Sequence, residues 1–216
     1  MRGVIWLGAL AAVVVGIVGL VTLGAGSEAV ASAADTAVRA PDTVETADTA
    51  VFAGGCFWCM EPPYDGLDGV LATISGYAGG DVADPSYEQV TAGGTGHREA
   101  VMVVYDSDRI TYSDLLPVFW RNVDPLDDGG QFCDRGFSYT TAIFAQDSTQ
   151  AAVARASKEG IEDRFSEPVV TPVELDRTFY PAEEYHQNYY EKKPLRYRFY
   201  RTTCGRDGRL DELWGS

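Results

Sequence analysis

Four cysteines, at positions 56, 59, 133 and 204, are the side chains of this 216-residue chain best suited to redox chemistry. Two of them share the segment Gly54-Gly55-Cys56-Phe57-Trp58-Cys59-Met60-Glu61. The apolar run Val51-Phe52-Ala53 before it reads as a strand, and the glycine pair allows a bend that other residues adopt only at a cost. Cys56 then falls where a helix begins, and the unpaired N–H groups and dipole of a helix start favour a thiolate. Phe57 and Trp58 would give such a site an apolar wall, which suits a substrate carrying an apolar group. Pro62 and Pro63 require the helix to start late, to kink or to stay short. On composition alone Cys56 is equally consistent with an inert buried thiol. The Cys56-x-x-Cys59 spacing adds a thioredoxin-type redox pair and, more weakly, half of a zinc site. Cys133 and Cys204 are isolated, and no second cysteine pair or nearby histidine completes that site.

Two further segments bring polar groups to strand ends. Thr95-Gly96-His97-Arg98-Glu99-Ala100 sets a carboxyl at the mouth of a strongly apolar run. Desolvation there would raise the pKa of Glu99 and fit it to act as a general acid, whereas a salt bridge with Arg98 or a surface position would leave it ordinary. Gly130-Gln131-Phe132-Cys133-Asp134-Arg135-Gly136-Phe137-Ser138-Tyr139 also precedes a strand and offers Asp134 and Tyr139. Strand-end loops carry such groups without function as well.

The elements that must hold these groups follow from periodicity. Val70–Ile74 predicts a second strand, closed by Ser75-Gly76-Tyr77-Ala78-Gly79-Gly80. Ala100–Tyr105 is continuous and β-branched, the pattern of a strand buried on both faces. Thr140–Ala145 predicts a fourth, and Val169–Leu175 a fifth that Pro172 confines to an edge. Thr111, with Asp114 three residues on, starts a helix carried by Leu115, Leu116, Phe119 and Trp120. Ser148–Phe165 is the clearest helix, and Pro181-Ala182-Glu183-Glu184 opens a third. This order of elements predicts an α+β or α/β sandwich.

Seventeen Lys+Arg against thirty-two Asp+Glu give a net charge of -15, which excludes nucleic acid as a partner because phosphate neutralisation needs clustered cations. With 45% hydrophobic and 12% aromatic residues the chain is not disordered. Gly3–Gly26 carries no charge and would cross a ~30 Å hydrocarbon layer as a helix. A signal or membrane anchor is therefore expected over 1–26, and Ala31-Ser32-Ala33 has the form of a cleavage site. The length of the run and the single Arg2 before it favour a retained anchor. Residues 27–50, rich in Ala, Thr, Asp and Glu, read as a flexible linker, and 51–216 as the folded domain. The domain is then placed on the far side of a membrane, anchored or exported.

Taken in order, Gly55-Cys56-Phe57-Trp58, Gly76-Tyr77-Ala78-Gly79-Gly80, Thr95-Gly96-His97-Arg98-Glu99-Ala100-Val101, Phe119-Trp120, Asp124-Pro125, Asp134-Arg135-Gly136, Ala142-Ile143-Phe144 and Ala182-Glu183-Glu184-Tyr185-His186-Gln187 resemble the A-class peptide methionine sulfoxide reductases over roughly residues 51–200. The resemblance implies a two-layer α+β sandwich with a mixed sheet and a ferredoxin-like plait. It implies reduction of methionine-S-sulfoxide, free or in oxidised proteins. Cys56 would be the nucleophile, Glu99 the acid that protonates the sulfoxide oxygen, Tyr77 and Tyr139 its hydrogen-bond donors, and Asp134 a supporting group. Phe57 and Trp58 would hold the S-methyl group. The sulfenic acid left on Cys56 condenses with a second thiol, and an outside dithiol such as thioredoxin restores both. No metal or cofactor is implied, and a monomer is expected.

The resolving cysteine is expected to be Cys204 first, in a polar C-terminal stretch able to swing, then Cys59, then Cys133. Val123 stands where the family commonly has His before Asp124-Pro125, so no role carries over there. Asp127–Cys133 also departs from the usual loop, so the fine geometry around Asp134 and Tyr139 does not carry over either. Two other readings are a thiol–disulfide oxidoreductase using Cys56 and Cys59 alone, and a membrane-tethered binding domain with four passive cysteines.

Overall fold

In the computed structural model, residues 46–175 and 178–215 are described. The expected anchor and most of the expected linker lie outside them. Among the described residues no helix is long and apolar enough to cross a membrane.

The fold is mixed α+β. Strands β1 (Ala47–Gly54), β2 (Val70–Ala78) and β3 (Arg98–Asp106) are followed by the two-residue strands β4 (Gly130–Gln131) and β5 (Asp134–Arg135). After them come β6 (Thr141–Ala145), β7 (Val173–Leu175) and β8 (Phe179–Pro181). Six strands form one mixed sheet in the order β7-β6-β1-β3-β2-β8, with β6 and β7 parallel and every other pair antiparallel; β4 and β5 pair separately. β1 starts four residues before the expected boundary, and Ala47–Ala50 pair with Val103–Asp106. β3 is buried almost throughout, as its β-branched run predicts. β7 begins just after Pro172 and lies at the sheet edge, where a missing N–H costs no ladder bond.

The helices are α1 (Phe57–Asp65), α2 (Tyr87–Ala92), α3 (Tyr112–Arg121), α4 (Ser148–Glu162), α5 (Tyr189–Lys192), α6 (Pro194–Thr203) and α7 (Arg206–Trp214). Of the three outcomes open to α1, it takes the short one, nine residues with both prolines inside. Thr111 and Asp114 form the capping box expected of α3. The helix expected at Pro181 does not form. Phe179–Pro181 pairs with β2, the Ala182 N–H donates to the Ser75 carbonyl, and the Gln187 amide exchanges hydrogen bonds with both backbone groups of Ser75. Pairing with the sheet satisfies these groups and overrides a local helix signal. The polar stretch around Cys204, expected to swing, instead joins two helices, with Cys204 capping α6.

One face of the sheet carries the main core. Phe52 of β1 stacks at 5.4–6.1 Å on Tyr64, Tyr112 and Phe119 of α1 and α3. A smaller cluster of Val51, Ala53, Ala78, Ala100, Ala142 and Phe144 forms a second core. Register then decides which groups meet. β1 and β3 run antiparallel with Phe52 opposite Val101, so two more residues along bring Gly54, just before Cys56, opposite Glu99.

Truncating Phe52 removes three stacked partners at once, so Phe52→Ala is expected to lower the unfolding free energy by about 3–5 kcal/mol in urea denaturation. A loss below about 1 kcal/mol would show that α1 and α3 are held otherwise.

Candidate active site

The turn into α1 sets the geometry. Gly55 has φ +78°, and a Cβ there would lie 2.5 Å from Gln131 Cβ, so both backbone and space demand glycine. Cys56 is the N-cap residue of α1 and only 6% exposed; Cys59 sits one turn on and is buried. Val123, also buried, packs beneath Gly54, which shows what its apolar side chain does here.

Glu99 is buried, and its Oε2 accepts the Phe57 N–H at 3.1 Å. Burial pushes its pKa up to about 8, against the pull of that N–H, and the nearby Asp134 and Cys59 push the same way. Glu99 is therefore a carboxylic acid at neutral pH. Burial also raises the Cys56 thiol well above its ordinary value, reinforced by the hydrogen bond with Cys59 and by Glu99. The same hydrogen bond draws Cys59 down to about 6 despite its burial, helped by Arg206 and Arg201. The two sulfurs thus share one proton and one charge around neutrality, and moving that proton to Cys59 makes Cys56 the thiolate.

These groups open on a small cavity of about 90 Å³, far below the several hundred Å³ of cofactor and drug sites and suited to the end of one side chain. Phe57 and Trp58 form its apolar wall. Trp58 stacks on Tyr189 with ring centres 3.8 Å apart and donates from Nε1 to His186 Nδ1 at 3.1 Å. His186 therefore stays neutral, in keeping with the lowering of its pKa by burial. Opposite the wall lie Tyr87, Tyr139, Asp134 and Tyr200. The Tyr87 and Tyr139 hydroxyls hydrogen-bond each other, and burial raises both pKa values, Tyr87 to about 12, so both keep their protons for donation. The Tyr200 hydroxyl donates to Asp134.

The structure brings together Cys56, Phe57, Trp58, Glu99, Asp134 and Tyr139. It does not bring Tyr77 to the cavity. Tyr77 is paired with Glu99 across β2 and β3, but its ring packs behind Phe57 and its hydroxyl donates to Glu183 at 2.8 Å. Tyr87 stands in its place, its own N–H held by the other oxygen of Glu183 at 2.9 Å. Ser86 and Gln89 form a capping box that starts α2 at Tyr87, a signal present in the sequence. Tyr200, on α6, carries no sequence signal that marks it for the cavity. Of the other cysteines, Cys133 and Cys204 form a disulfide beside Asp134, with Cα atoms 4.9 Å apart. They and Asp134 are a group of ligand-type side chains, but the sulfurs are bonded to each other and leave no thiolate for a metal.

A thiol pair sharing one charge, a protonated buried carboxyl and a ring of hydroxyl donors around an apolar-walled slot define a cysteine-based oxidoreductase acting on a polarised oxygen next to an apolar group. Comparison with known proteins agrees. The family model described as Peptide methionine sulfoxide reductase matches residues 48–216. The chain is 52% identical over 166 residues to Peptide methionine sulfoxide reductase MsrA 2 of Rhizobium meliloti (strain 1021), covering 77% of this chain and 83% of that protein. It is 46% identical over 174 residues to Peptide methionine sulfoxide reductase MsrA of Bacillus subtilis (strain 168), covering 80% and 98%. Among solved structures it is similar to Mxr1 from Saccharomyces cerevisiae in reduced form, with TM-score 0.66 and 31% identity over 69% of this chain and 87% of that one. Methionine sulfoxide reductase A of Corynebacterium diphtheriae gives 0.67 and 30% over 70% and 77%. The chain belongs to the peptide methionine sulfoxide reductase family, and it is an oxidoreductase that reduces methionine sulfoxide.

Two ionisations should bound the reaction. kcat/KM is expected to rise with pH as the cysteine pair loses its first proton near 6 and to fall as Glu99 loses its own near 8. Glu99→Gln should lower kcat/KM by about 10²–10⁴-fold and abolish the alkaline fall. A profile whose alkaline limb survives in Glu99→Gln would assign that limb to another group.

Proposed function

We propose that the chain reduces the S epimer of methionine sulfoxide, in oxidised proteins and as the free amino acid, through a sulfenic acid on Cys56. The observation that carries this reading is the meeting of Cys56 with a protonated Glu99 in a slot walled by Phe57 and Trp58. The S-methyl group lies against the two rings, and the sulfoxide oxygen faces Glu99 and the Tyr87 and Tyr139 hydroxyls. A chiral sulfur held by its methyl and its oxygen at once presents only one epimer to Cys56. Its thiolate attacks the sulfoxide sulfur while Glu99 protonates the oxygen. The hydroxyl then passes from that sulfur to the Cys56 sulfur, the sulfoxide S–O bond and the new bond between the two sulfurs break, and methionine leaves Cys56–SOH behind.

Resolution in the state described here falls first to Cys59, which already hydrogen-bonds Cys56, whereas Cys204 is engaged with Cys133. The Cys59 thiol condenses with the sulfenic acid, expelling water and leaving a Cys56–Cys59 disulfide. A dithiol of the thioredoxin class supplies the two electrons and two protons that close the cycle. Burial of both sulfurs argues against the alternative of general disulfide exchange on folded proteins, which would leave Glu99 idle. The uncharged run 3–26 supports a domain tethered by its N-terminal segment on the far side of a membrane, through the remaining linker. Its reductant would then be a local thioredoxin-like protein.

With dithiothreitol the full chain is expected to turn over the S epimer and leave the R epimer untouched, and Cys56→Ser should abolish turnover. Mass mapping after one turnover without reductant should find Cys56 bonded to Cys59. Equal rates on both epimers would overturn the substrate assignment, and a Cys56–Cys204 bond would overturn the order of resolution.

A further inference from the structure

We propose that Tyr200 is a further catalytic residue, and that the surface disulfide Cys133–Cys204 holds it against the nucleophile, so that the oxidation state of this disulfide sets the reactivity of Cys56. The inference rests on the reading of Cys56 as the nucleophile.

The placement of α6 carries it. None of the ten residues of α6 is fully buried, and Leu195 and Phe199 on its outer side are 80% and 70% exposed. A helix with so little buried apolar surface is not held by packing. Its inner side makes a few specific contacts. The Tyr200 ring meets Trp58 edge-on at 5.9 Å, and its hydroxyl donates to Asp134 on the wall of the cavity that Cys56 also lines, where it acts on the Cys56 sulfur. One turn on, on the same side, Cys204 is bonded to Cys133, the residue next to Asp134. The Cys133 N–H also lies 3.2 Å from Cys204 Sγ, and Cys204 Sγ lies 4.0 Å from Asp134 Oδ2. Two segments that each contribute a cavity residue are thus stapled together directly beside those residues.

The hydroxyl of Tyr200 stabilises negative charge on Cys56 against the cost of its burial. Opening the staple frees both α6 and the Asp134 loop and withdraws that hydrogen bond. Cys133 is exposed, so a dithiol reaches the bond. Its two thiols reduce Cys133–Cys204 to two thiols and leave as a disulfide, the same reductant class that the catalytic cycle consumes. The enzyme is then most reactive where surroundings are oxidising, and slackens where reductant is in excess.

The test measures alkylation of Cys56 by iodoacetamide against pH, read at that residue by mass spectrometry, on the full chain. The wild type is compared with its staple closed and open, alongside Tyr200→Phe, Cys133→Ser/Cys204→Ser and the triple variant. Cys59, Glu99, Asp134, Tyr87 and Tyr139 also face Cys56 and are unchanged in all of them. Opening the staple, removing it or removing the hydroxyl should each slow Cys56 alkylation at pH 7 by about tenfold, the scale of one hydrogen bond to a charged group. The triple variant should lose no more than either parent. Full reactivity in the staple-free proteins, or additive losses in the triple variant, would overturn the inference. Thermal melting of each protein separates this from loss of fold, because the opened wild type carries no substitution. A chain in which Cys56→Ser retains turnover fails the nucleophile assignment instead, which distinguishes the two failures.

Discussion

The hydrogen bond from the Phe57 N–H to Glu99 is the interaction around which the site is built. It spends one of the free donors at the start of α1 on a carboxyl that burial would otherwise make still less acidic. Because that donor is the backbone of the residue after Cys56, the acid is fixed relative to the nucleophile by main chain. The sheet makes the meeting unavoidable, since the β1–β3 register brings the end of one strand opposite the start of the other. Charge follows from the same packing. A dry, aromatic surround keeps the proton on Glu99 and divides a single charge between two sulfurs.

Around this centre, buried polar groups act as struts. Glu183 spans Tyr77 and the Tyr87 N–H, fixing the hydroxyl side of the cavity. Glu61, buried on the catalytic helix, accepts the N–H of Asn188, whose φ of +49° turns the chain so that Tyr189 covers Trp58. Burial lifts the Glu61 pKa to about 7. Arg206, fully buried, donates to the carbonyls of Gly54 and Asn122 and lies over Phe132, closing the back of the glycine turn from α7. Each strut joins segments distant in sequence, which is why an isolated motif does not make the site.

Much of this was legible in the sequence. The β-branched run of β3, the capping box of α3 and the glycine–cysteine turn each carry local physics strong enough to survive folding, and they set Cys56 at a helix start and Glu99 at the head of a buried strand, whereas the roles of Asp134 and Tyr139 came only from the family resemblance. What stayed hidden depends on pairing. Tyr77 and Tyr87 are both tyrosines near glycine-rich turns, and only the position of Glu183 decides that the Tyr77 hydroxyl is taken up behind Phe57 while Tyr87 lines the cavity beside Tyr139. The segment 181–188 has a helical pattern but spends its polar groups on Ser75. The place of α6 against Trp58 carries no local signal, and the union of Cys133 with Cys204 spans 71 residues without one.

The claim that all of this supports is that Glu99 carries a proton at neutral pH. Infrared difference spectroscopy of the reduced protein, with the band assigned by its loss in Glu99→Gln, reads that proton directly from the carboxyl C=O stretch. A protonated-carboxyl band present at pH 7 that titrates near 8 is the predicted result. A band lost near the ordinary 4.5 would contradict the account, because Glu99 would then be an anion facing the sulfoxide oxygen with no proton to give.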